Sequence, residues 1–554
     1  MKKKNIKRMV ALGLAVMLSA SALAGCGNNA DGAFGSDPGT GETKSSEAEE
    51  SSAAEDSGSG SGEAEGSGSG EEAAFPRDEN GYPDLQGETI TIWYCMTGDV
   101  AKECSDIHDF KAVREWEEKF NCTLEFQYPP VGQEKDNFSI MMAGGEWPDI
   151  IVSNGIDSYY PGGVNMAIED GVVIDPTPYI NETNTPNFLE MVEKYGVQKL
   201  VVDDDGRMIK FGFKISGSKD VMLEYAGPMI RRDYLEAANL EVPVTVDDWY
   251  EMLTAMKANG VEYPFALSGT GWLVDRSCNF IGSAYGVSIK GFYVKEDGSI
   301  GYGMAEPGFK GYLETMNKWY SEGLINPDFM NQNNDDVQSL MASGTSGAAV
   351  MHLGTYRDNY YQTTEKSNPD AALVPAQYPV LNEGDPLTRF NTASISMSDG
   401  KYITTKAKNP LACIYFLDAL YNPALKEGLK DGEYVAREDR FQGWPDWFPP
   451  TEGMNLEYIL KDHSLGAGNE ALNLWKQGTE DAQYPSVIHT TEEAELISKY
   501  QADLDTYVQE MFFKFITGAE SLDNFDSYIT RLDELHLQDL IAVKQAAYDR
   551  YMAR

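Results

Sequence analysis

The chain has 554 residues, and its 88 Asp and Glu against 44 Lys and Arg give a formal net charge of −44. Such acidity argues against nucleic acid as a partner, because binding a phosphate backbone requires an excess of basic groups. The length exceeds what a single hydrophobic core supports, so two or three domains are expected.

The N-terminus has the pattern of a lipoprotein signal peptide. Residues 2–8 are mostly basic, residues 9–23 are almost wholly apolar, and Leu23-Ala24-Gly25-Cys26 completes the segment. An apolar run of about fifteen residues suits a signal peptide and is short for a membrane span. The final tetrapeptide resembles the bacterial lipobox, in which the cysteine sulfur receives lipid and cleavage falls just before it. Residues 1–25 are therefore predicted to be removed, leaving Cys26 as a lipid anchor; the alternative is an ordinary secretory signal with a chance cysteine.

Residues 26–75 have the composition of a flexible tether. Gly, Ser, Ala and Glu dominate this stretch, which carries twelve acidic residues and one basic residue, Lys44. Such a segment has too little apolar surface to offset the entropy lost on folding. We expect a disordered spacer between the anchor and a folded part.

The first folded stretch alternates between strand-like and helical patterns. Strands are predicted at 89–93, 124–126 and 149–152, with helices at 111–120 and 136–143 between them. This strand–helix–strand order predicts α/β architecture.

The middle of the chain continues the mixture of helices and strands. Thr245 and Asp248 have the spacing of a capping box that opens a helix. Residues 293–302 predict a hairpin, because Glu296 to Ser299 has turn composition. A further helix is expected at 309–320.

The C-terminal part is predicted to be helical. Large apolar residues recur at helical spacing from Leu496 to Phe515, and Gly518 is placed to end that helix. Two more helices are expected at 525–535 and 540–551. Stripes of this kind usually pack in a core.

Four segments, taken in their order along the chain, carry a resemblance to a known family. They are 141–151 (MMAGGEWPDII), 341–350 (MASGTSGAAV), 403–410 (ITTKAKNP) and 515–551, which runs from Phe-Ile-Thr-Gly to Ala-Tyr-Asp-Arg-Tyr. Together with the lipobox and the tether, they resemble the extracellular solute-binding lipoproteins of carbohydrate ABC importers, in particular the large lipoproteins of Gram-positive bacteria.

The resemblance implies a two-lobed α/β fold of the periplasmic-binding-protein type, with mixed sheets flanked by helices and a three-crossover hinge. Lobe 1 would comprise 86–222 plus 385–425, and lobe 2 would comprise 223–384 plus 426–554. It implies a monomer outside the cell that captures a carbohydrate, most simply an oligosaccharide, between the lobes and delivers it to the membrane subunits of an importer. No catalytic residue, cofactor or metal is expected.

Sugars are bound by aromatic rings, which stack on the C–H faces of the pyranose, and by polar side chains, which bond the hydroxyls. The resemblance places several loops at the ligand, and the aromatic, proline-rich stretch 441–450 is a natural stacking platform. The predicted ligand-binding residues are Trp147, Asp149, Glu224, Trp272, Tyr356, Arg357, Trp444 and Trp447.

Each of these residues also has an ordinary structural interpretation. Asp149 could instead bond local backbone amides, Glu224 could be a surface acid and Trp272 could lie in a core. Arg357 could pair with one of many acids, and the stretch 441–450 could be an apolar plug over one lobe. The sequence leaves these alternatives open.

The cysteines and acidic clusters give no metal site by their spacing. Beyond Cys26 there are five cysteines, none in a CxxC pair: Cys95, Cys104, Cys122, Cys278 and Cys413. Buried thiols are favoured over a disulfide between Cys95 and Cys104. Asp203-Asp204-Asp205-Gly206 lacks the spacing of an EF-hand, so a β-turn is favoured over calcium.

Three competing functions remain. An extracellular glycan-active enzyme would need two carboxylates at a defined separation, which cannot be picked out among 88 acids, and the chain has no G-x-S-x-G, H-E-x-x-H or P-loop motif. A passive surface adhesin would need no hinge. The same fold binding a peptide or another solute is the third.

Overall fold

The computed structural model describes residues 74–96, 101, 104–109, 111–152, 156, 159–216, 226–270, 274–387, 396–398, 400–422, 425, 467–475 and 482–554. The predicted signal peptide, residues 26–73 of the predicted tether and the aromatic stretch 441–450 lie outside these residues, whereas Phe75 at the end of the tether packs against core 1. Among the described helices, none combines the length and the apolar character needed to cross a membrane.

The described elements alternate between strands and helices, as the sequence predicts. The strands are β1 (Glu88–Tyr94), β2 (Cys122–Gln127), β3 (Ile150–Val152), β4 (Lys214–Ser216), β5 (Ala226–Arg231), β6 (Phe265–Ala266), β7 (Phe292–Val294), β8 (Ile300–Tyr302), β9 (Ala348–His352), β10 (Leu373–Pro375), β11 (Ser396–Ser398) and β12 (Lys401–Ile403). The α-helices are α1 (Lys111–Phe120), α2 (Glu134–Gly144), α3 (Gly163–Glu169), α4 (Pro186–Tyr195), α5 (Gln198–Val201), α6 (Arg232–Ala238), α7 (Val246–Ala258), α8 (Val274–Asn279), α9 (Gly308–Ser321), α10 (Asn334–Ser343), α11 (Pro410–Ala419), α12 (Ala467–Trp475), α13 (Thr491–Thr517), α14 (Phe525–Glu534) and α15 (Leu537–Ala553).

Local sequence signals account for where these elements begin and end. Both bonds of the predicted capping box form at the start of α7, since Asp248 N donates to Thr245 Oγ1 at 3.1 Å and Thr245 N donates to Asp248 Oδ2 at 2.8 Å. Gly518 ends α13 with a φ of 75°, a left-handed conformation that glycine adopts without strain. β7 and β8 form the predicted hairpin.

Two four-stranded sheets form the framework. The first has the strand order β12-β3-β1-β2, in which β1, β2 and β3 run parallel and β12 runs antiparallel. The second has the order β10-β5-β9-β6, in which β5 runs antiparallel to its neighbours β10 and β9, and β6 runs parallel to β9. A separate two-stranded ribbon pairs β4 with β11 in antiparallel fashion.

Each four-stranded sheet lies in its own hydrophobic core. Core 1 contains buried residues from Tyr82 to Phe213 and from Met397 to Leu425. Core 2 contains buried residues from Ala226 to Tyr378 and from Ala471 to Leu540. The chain therefore passes between the cores after Phe213, before Met397 and after Leu425. Such separate cores are the ordinary basis of separate lobes.

The five cysteines of the described residues form no disulfide. Cys122, Cys278 and Cys413 are buried, and Cys95 and Cys104 are half-buried thiols. Burial raises the pKa of Cys122 to about 12, which keeps this thiol protonated and unreactive. The preference for free thiols over a Cys95–Cys104 disulfide agrees with the structure.

Candidate functional site

The β4–β11 ribbon fixes which edge of each sheet adjoins the passage between the cores. β4 directly follows Phe213 of core 1, and β11 is followed after two residues by β12 of the same core. The amino end of β5, at Ala226, is where the chain enters core 2 from this ribbon. The amino ends of β12 and β5 therefore mark the two sheet edges that adjoin the crossing.

In core 1, that edge carries the carboxyl ends of the parallel strands. β12 runs antiparallel to β3, so its first residue, Lys401, pairs with Val152, the last residue of β3. Tyr94 pairs with the same Val152 at the end of β1. Ligands of open α/β sheets bind outside the carboxyl ends of the strands. The half-buried Tyr159 follows the end of β3, and its ring centroid lies 5.8 Å from that of Phe138.

In core 2, the corresponding edge carries the carboxyl ends of β6, β9 and β10. Ala226, at the start of β5, pairs with His352, the last residue of β9. His352 is half-buried, and its Nδ1 accepts a hydrogen bond from Thr355 N at 3.4 Å. That bond favours the tautomer with the proton on Nε2. Thr270, half-buried beyond the end of β6, belongs to the same edge.

The segment Trp147-Pro148-Asp149 lies at the opposite edge, which corrects the prediction that it contacts ligand. It precedes β3, so it adjoins the amino end of that strand, and the Asp149 side chain is 4% exposed. The Asp149 carboxylate accepts from Thr91 N at 2.7 Å, from Thr91 Oγ1 at 2.6 Å and from Lys408 N at 2.8 Å. These bonds fix β1 and the residues after β12 to β3, so Asp149 has the alternative, structural role.

Trp147 belongs to the same structural segment. Its ring is half-buried against core 1, and Lys406 Nζ lies 6.0 Å from the ring centroid. Among the described residues, no acceptor meets the buried indole N–H. Because Trp147 lies with Asp149 at the amino edge of the sheet, its position argues against stacking on a ligand held at the crossing edge.

Tyr356 is a core residue, so its predicted stacking role is corrected as well. It begins a π-helix, Tyr356–Glu365, that follows β9 and a single short turn. The ring is 0% exposed, and its hydroxyl donates to Glu365 Oε2 at 2.8 Å. Arg357 lies in the same π-helix at the candidate edge, but its side chain is not among those described.

The remaining predicted ligand residues lie outside the described part of the chain. These are Glu224, Trp272, Trp444 and Trp447, and the predicted lipid site Cys26 lies there too. Their neighbours in sequence are informative, since Glu224 precedes Ala226 by two residues and Trp272 follows Thr270 by two. The described residues beside them in sequence, Ala226 and Thr270, lie at the crossing edge of core 2.

Sequence reasoning missed the residues that follow the strands at their carboxyl ends. Tyr159 and His352 lie at the candidate edges although neither belongs to a recognisable motif. The signal that could have found them was strand direction, because the loop after β3 begins at Ser153 and the motif Trp147-Pro148-Asp149 lies before that strand. The residues Trp147 and Asp149 were predicted from the resemblance of their motif to a family segment, and the direction of β3 did not enter that prediction.

The acidic run at Asp203 forms a turn stabilised by protein partners. Asp203 Oδ1 accepts from Asp205 N at 3.0 Å and from Arg207 N at 2.8 Å, and Gly206 N donates to Asp203 O at 3.2 Å. This is the β-turn favoured over a calcium loop. In the described residues, no group of three or more His, Cys, Asp or Glu side chains is placed to hold a metal ion.

Comparison with known proteins gives relatives across most of the chain. The fructooligosaccharide ABC transporter substrate-binding protein FusA of Streptococcus pneumoniae is 24% identical over 481 residues, covering 76% of this chain and 83% of FusA. The polygalacturonan/rhamnogalacturonan-binding protein YtcQ of Bacillus subtilis is 27% identical over 256 residues, covering 44% of this chain and 47% of YtcQ.

Solved structures share the fold at low identity. FusA of S. pneumoniae in complex with fructo-nystose matches with a TM-score of 0.66 at 18% identity, covering 84% of this chain and 99% of that one. The alginate-binding protein AlgQ2 matches with a TM-score of 0.64 at 20% identity, covering 83% and 98%. These matches establish the α/β fold of the periplasmic-binding-protein type.

The model of the family described as bacterial extracellular solute-binding protein matches residues 109–427, more than half of the chain. That range takes in every strand of the two sheets except β1, together with the ribbon between the cores and the residues Tyr159 and His352. By this match and its fold, the chain is a member of the bacterial extracellular solute-binding protein family.

Proposed function

We propose that this protein captures an oligosaccharide between two lobes and delivers it to an ABC importer. The observation that carries the proposal is the strand direction. In both sheets, the edge that ligands favour in α/β proteins is also the edge that adjoins the crossing ribbon. A solute bound there would touch both lobes. Closure of one lobe upon the other then gives the importer a ligand-dependent surface to recognise.

The choice of an oligosaccharide rests on the relatives. FusA is named for fructooligosaccharides and YtcQ for pectin-type polysaccharides, and both match this chain at comparable identity. A glycan longer than one sugar needs several stacking rings, and the chain has 31 Tyr, 22 Phe and 9 Trp.

For the site, we propose Glu224, Trp272 and Arg357 together with His352 and Tyr159. Tyr159 and His352 lie at the crossing edges, and Glu224, Trp272 and Arg357 are close in sequence to described residues of the core 2 edge. We also propose Trp444 and Trp447 as a stacking platform, because in sequence they lie between Leu425 of core 1 and α12 of core 2. We propose lobe boundaries at 222/223, 384/385 and 425/426, which follow the buried members of the two cores, although the partly buried Leu387 packs against core 2 and Tyr551 against core 1.

We further propose that the protein is held at the outer face of the cytoplasmic membrane through lipid on Cys26. The support is the basic, apolar and lipobox order of residues 1–26, followed by the tether. Replacing Cys26 with Ser should move the protein from the membrane fraction to the medium. Retention of the Cys26→Ser protein in membranes would contradict lipid anchoring through this residue.

The first experiment is a thermal-shift panel on the chain from residue 26 onward with Cys26→Ser. The ligands are neutral oligosaccharides, uronic-acid oligomers, monosaccharides and short peptides. A ligand at 100 times its dissociation constant adds about 2.7 kcal/mol of stability, enough to raise the midpoint by a few degrees. A selective shift with a glycan that remains intact after prolonged incubation supports the proposal. A shift with peptides alone would overturn the carbohydrate assignment, and a cleaved glycan would reveal an enzyme.

A further inference from the structure

One helix of the protein reaches from core 2 to core 1. α15 begins with Leu537 and Leu540 buried in core 2. Near its other end, Tyr551 packs against core 1. Since an α-helix is stiff over this length, the last turn of α15 is a direct mechanical link between the cores, separate from the crossing segments of the chain.

The link is made of charged side chains from three parts of the molecule. Arg550 donates from Nη1 to Glu493 Oε1 at 2.7 Å and from Nη2 to Glu493 Oε2 at 2.5 Å. Its Nε donates to Asp204 Oδ2 at 2.6 Å, and Arg554 Nη2 donates to Asp204 Oδ1 at 2.5 Å. Glu493 lies in the first turn of α13, whereas Asp204 lies in the turn that follows α5. Arg550 therefore bridges two carboxylates from opposite sides of the contact.

The ends of two helices support one another at the same place. Arg554 Nη1 donates to Val202 O and, at 3.3 Å, to Lys199 O, the carbonyls at the C-terminus of α5. In return, Lys199 Nζ donates to Met552 O at the C-terminus of α15 at 3.0 Å. Cations are favoured at helix C-termini, where carbonyl groups lack partners within the helix. Each helix thus supplies the cation for the other.

Neighbouring contacts extend the link toward α3. Asn165 Nδ2 donates to His489 O at 2.9 Å, and Lys210 Nζ donates to Ser486 O at 3.0 Å. Ser486 and His489 belong to the segment that leads into α13. Core 1 therefore meets both α15 and the start of α13 along one continuous surface.

The charged groups of this contact shift one another's pKa values. The hydrogen bonds that Arg550 donates to Glu493 raise the pKa of the Arg550 guanidinium beyond its already high range. Burial raises the pKa of the Asp204 carboxyl, but the bonds from Arg554 and Arg550 outweigh it and hold that pKa below its ordinary value. Arg550 and Asp204 remain 32% and 31% exposed, so salt in solution reaches the pair.

We propose that Asp204, Glu493, Arg550 and Arg554, which we call the C-terminal clasp, form a salt-sensitive joint that fixes the relative orientation of the two lobes along one side. With the clasp in place, the lobes rotate about one axis, and the two candidate edges remain opposite each other. Without it, the lobes sample a wider range of orientations, so a smaller share of molecules is competent to bind. The consequence for binding rests on the proposed function, whereas the consequence for orientation does not.

The test measures inter-lobe distances by double electron–electron resonance on the chain from residue 26 with Cys26→Ser. Spin labels are attached at Lys135→Cys on α2 and Glu251→Cys on α7, both exposed positions, after Cys95 and Cys104 are replaced with Ser. Arg550→Gln and Asp204→Asn remove the clasp from its two sides, and Arg554→Gln is a milder third variant. The matched control is Arg531→Gln, which removes an exposed ion pair with Glu534 beside core 2 alone.

Without any ligand, Arg550→Gln and Asp204→Asn should each broaden the distance distribution, and Arg531→Gln should not. Adding 1 M NaCl, where the screening length falls to about 3 Å, should broaden the distribution of the parent protein toward that of the variants. If Arg550→Gln does not fold, Asp204→Asn and Arg554→Gln decide the question. Distributions that superimpose on the parent in every folded clasp variant would overturn the proposal.

The second readout is affinity for whichever glycan the thermal-shift panel identifies. Clasp variants should bind about threefold or more weakly, because apparent affinity falls with the competent fraction, and Arg531→Gln should bind as the parent does. Broader distributions with unchanged affinity would overturn the effect on binding while leaving the joint itself in place. Failure of the panel to find a glycan would reject the proposed function and leave the distance measurement to decide on the joint.

Discussion

Asp149 shows how one buried carboxylate can hold together three strands. Its two oxygens take three hydrogen bonds from the backbone and side chain of β1 and from the segment after β12. Its own N–H donates to Thr91 Oγ1 at 2.9 Å, which closes a reciprocal pair between β1 and β3. Removing the carboxylate would leave buried donors without partners, and such groups are costly.

We therefore predict that Asp149→Ala lowers the free energy of unfolding by about 2–4 kcal/mol, measured by urea denaturation. The exposed neighbour Glu146→Ala is the matched control and should change stability by less than about 0.5 kcal/mol. Ligand affinity of the folded Asp149→Ala protein should be unchanged. A large loss of affinity without a loss of stability would restore Asp149 to the ligand site.

A second residue-scale prediction concerns Asp418, which is buried on α11. Burial raises its pKa to about 6, although Arg77 Nη2 at 2.8 Å and two neighbouring donors, Asn187 and Phe188, oppose the rise. The folded protein then binds this proton more tightly than the unfolded chain, whose carboxyl has a pKa of about 3.9. Stability contributed by the protonated group is present below that value and is lost as the pH rises through about 6.

Asp418→Asn has no such proton to lose, so the difference in unfolding free energy between parent and variant should change with pH. Between about pH 4 and pH 6 the parent should lose about 2 kcal/mol relative to Asp418→Asn. Urea denaturation at several pH values measures this difference, and other titrating groups cancel in the comparison. Parallel stability profiles for the two proteins would show that Asp418 keeps an ordinary pKa.

At the scale of elements, local patterns were sufficient to predict most of the secondary structure. The helix predicted at 111–120 has those bounds, because Val113, Trp116 and Phe120 recur at helical spacing and are all buried. The π-helix after β9 was not foreseen, since its wider turn depends on the seating of Tyr356 and Tyr360 in core 2. That turn directs the Tyr356 side chain into core 2, and no local pattern in the sequence shows which way this side chain points.

The contact between β5 and α12 gives a prediction at this scale. Trp475 lies against Gly227, where an added Cβ would come within 2.3 Å of the indole, and Trp475 Nε1 donates to Ala376 O at 2.9 Å. Gly227→Ala should therefore lower the free energy of unfolding by about 3 kcal/mol, measured by urea denaturation. Gly144→Ala, where nothing lies within 4 Å of the added Cβ, should be neutral or slightly stabilising.

A double variant identifies the cause of the Gly227 effect. Combined with Trp475→Phe, which provides a smaller ring, Gly227→Ala should cost less than it does alone, so the two changes should be non-additive. Simple additivity would mean that the strand itself, and not the indole, rejects the new methyl group. In that case α12 would be less tightly fixed to the sheet than the contact indicates.

At the scale of the whole molecule, the sequence predicted the fold, whereas the motif that it offered for lobe 1 lies at the sheet edge away from the crossing. The four segments that resemble the family, taken in their order along the chain, were enough to predict two lobes and three crossings, because each segment can be recognised from its own residues. The site depends on which ends of the strands adjoin the ribbon, and this becomes visible only when strand order and direction are known. Trp147 and Asp149 were chosen by motif, and they lie at the amino end of β3.

Hydrogen exchange can decide which edges bind ligand. Slower exchange on binding is expected at both crossing edges, in segments 127–133 and 159–160 of lobe 1 and in segments 267–270 and 352–356 of lobe 2, because a solute between the lobes would shield both. Segment 404–408, beside Asp149 at the far edge, serves as the internal control and should exchange equally fast with and without glycan. Protection confined to one lobe would show that the solute does not bridge the cores, and protection centred on 404–408 would place the site at the amino edge of β3.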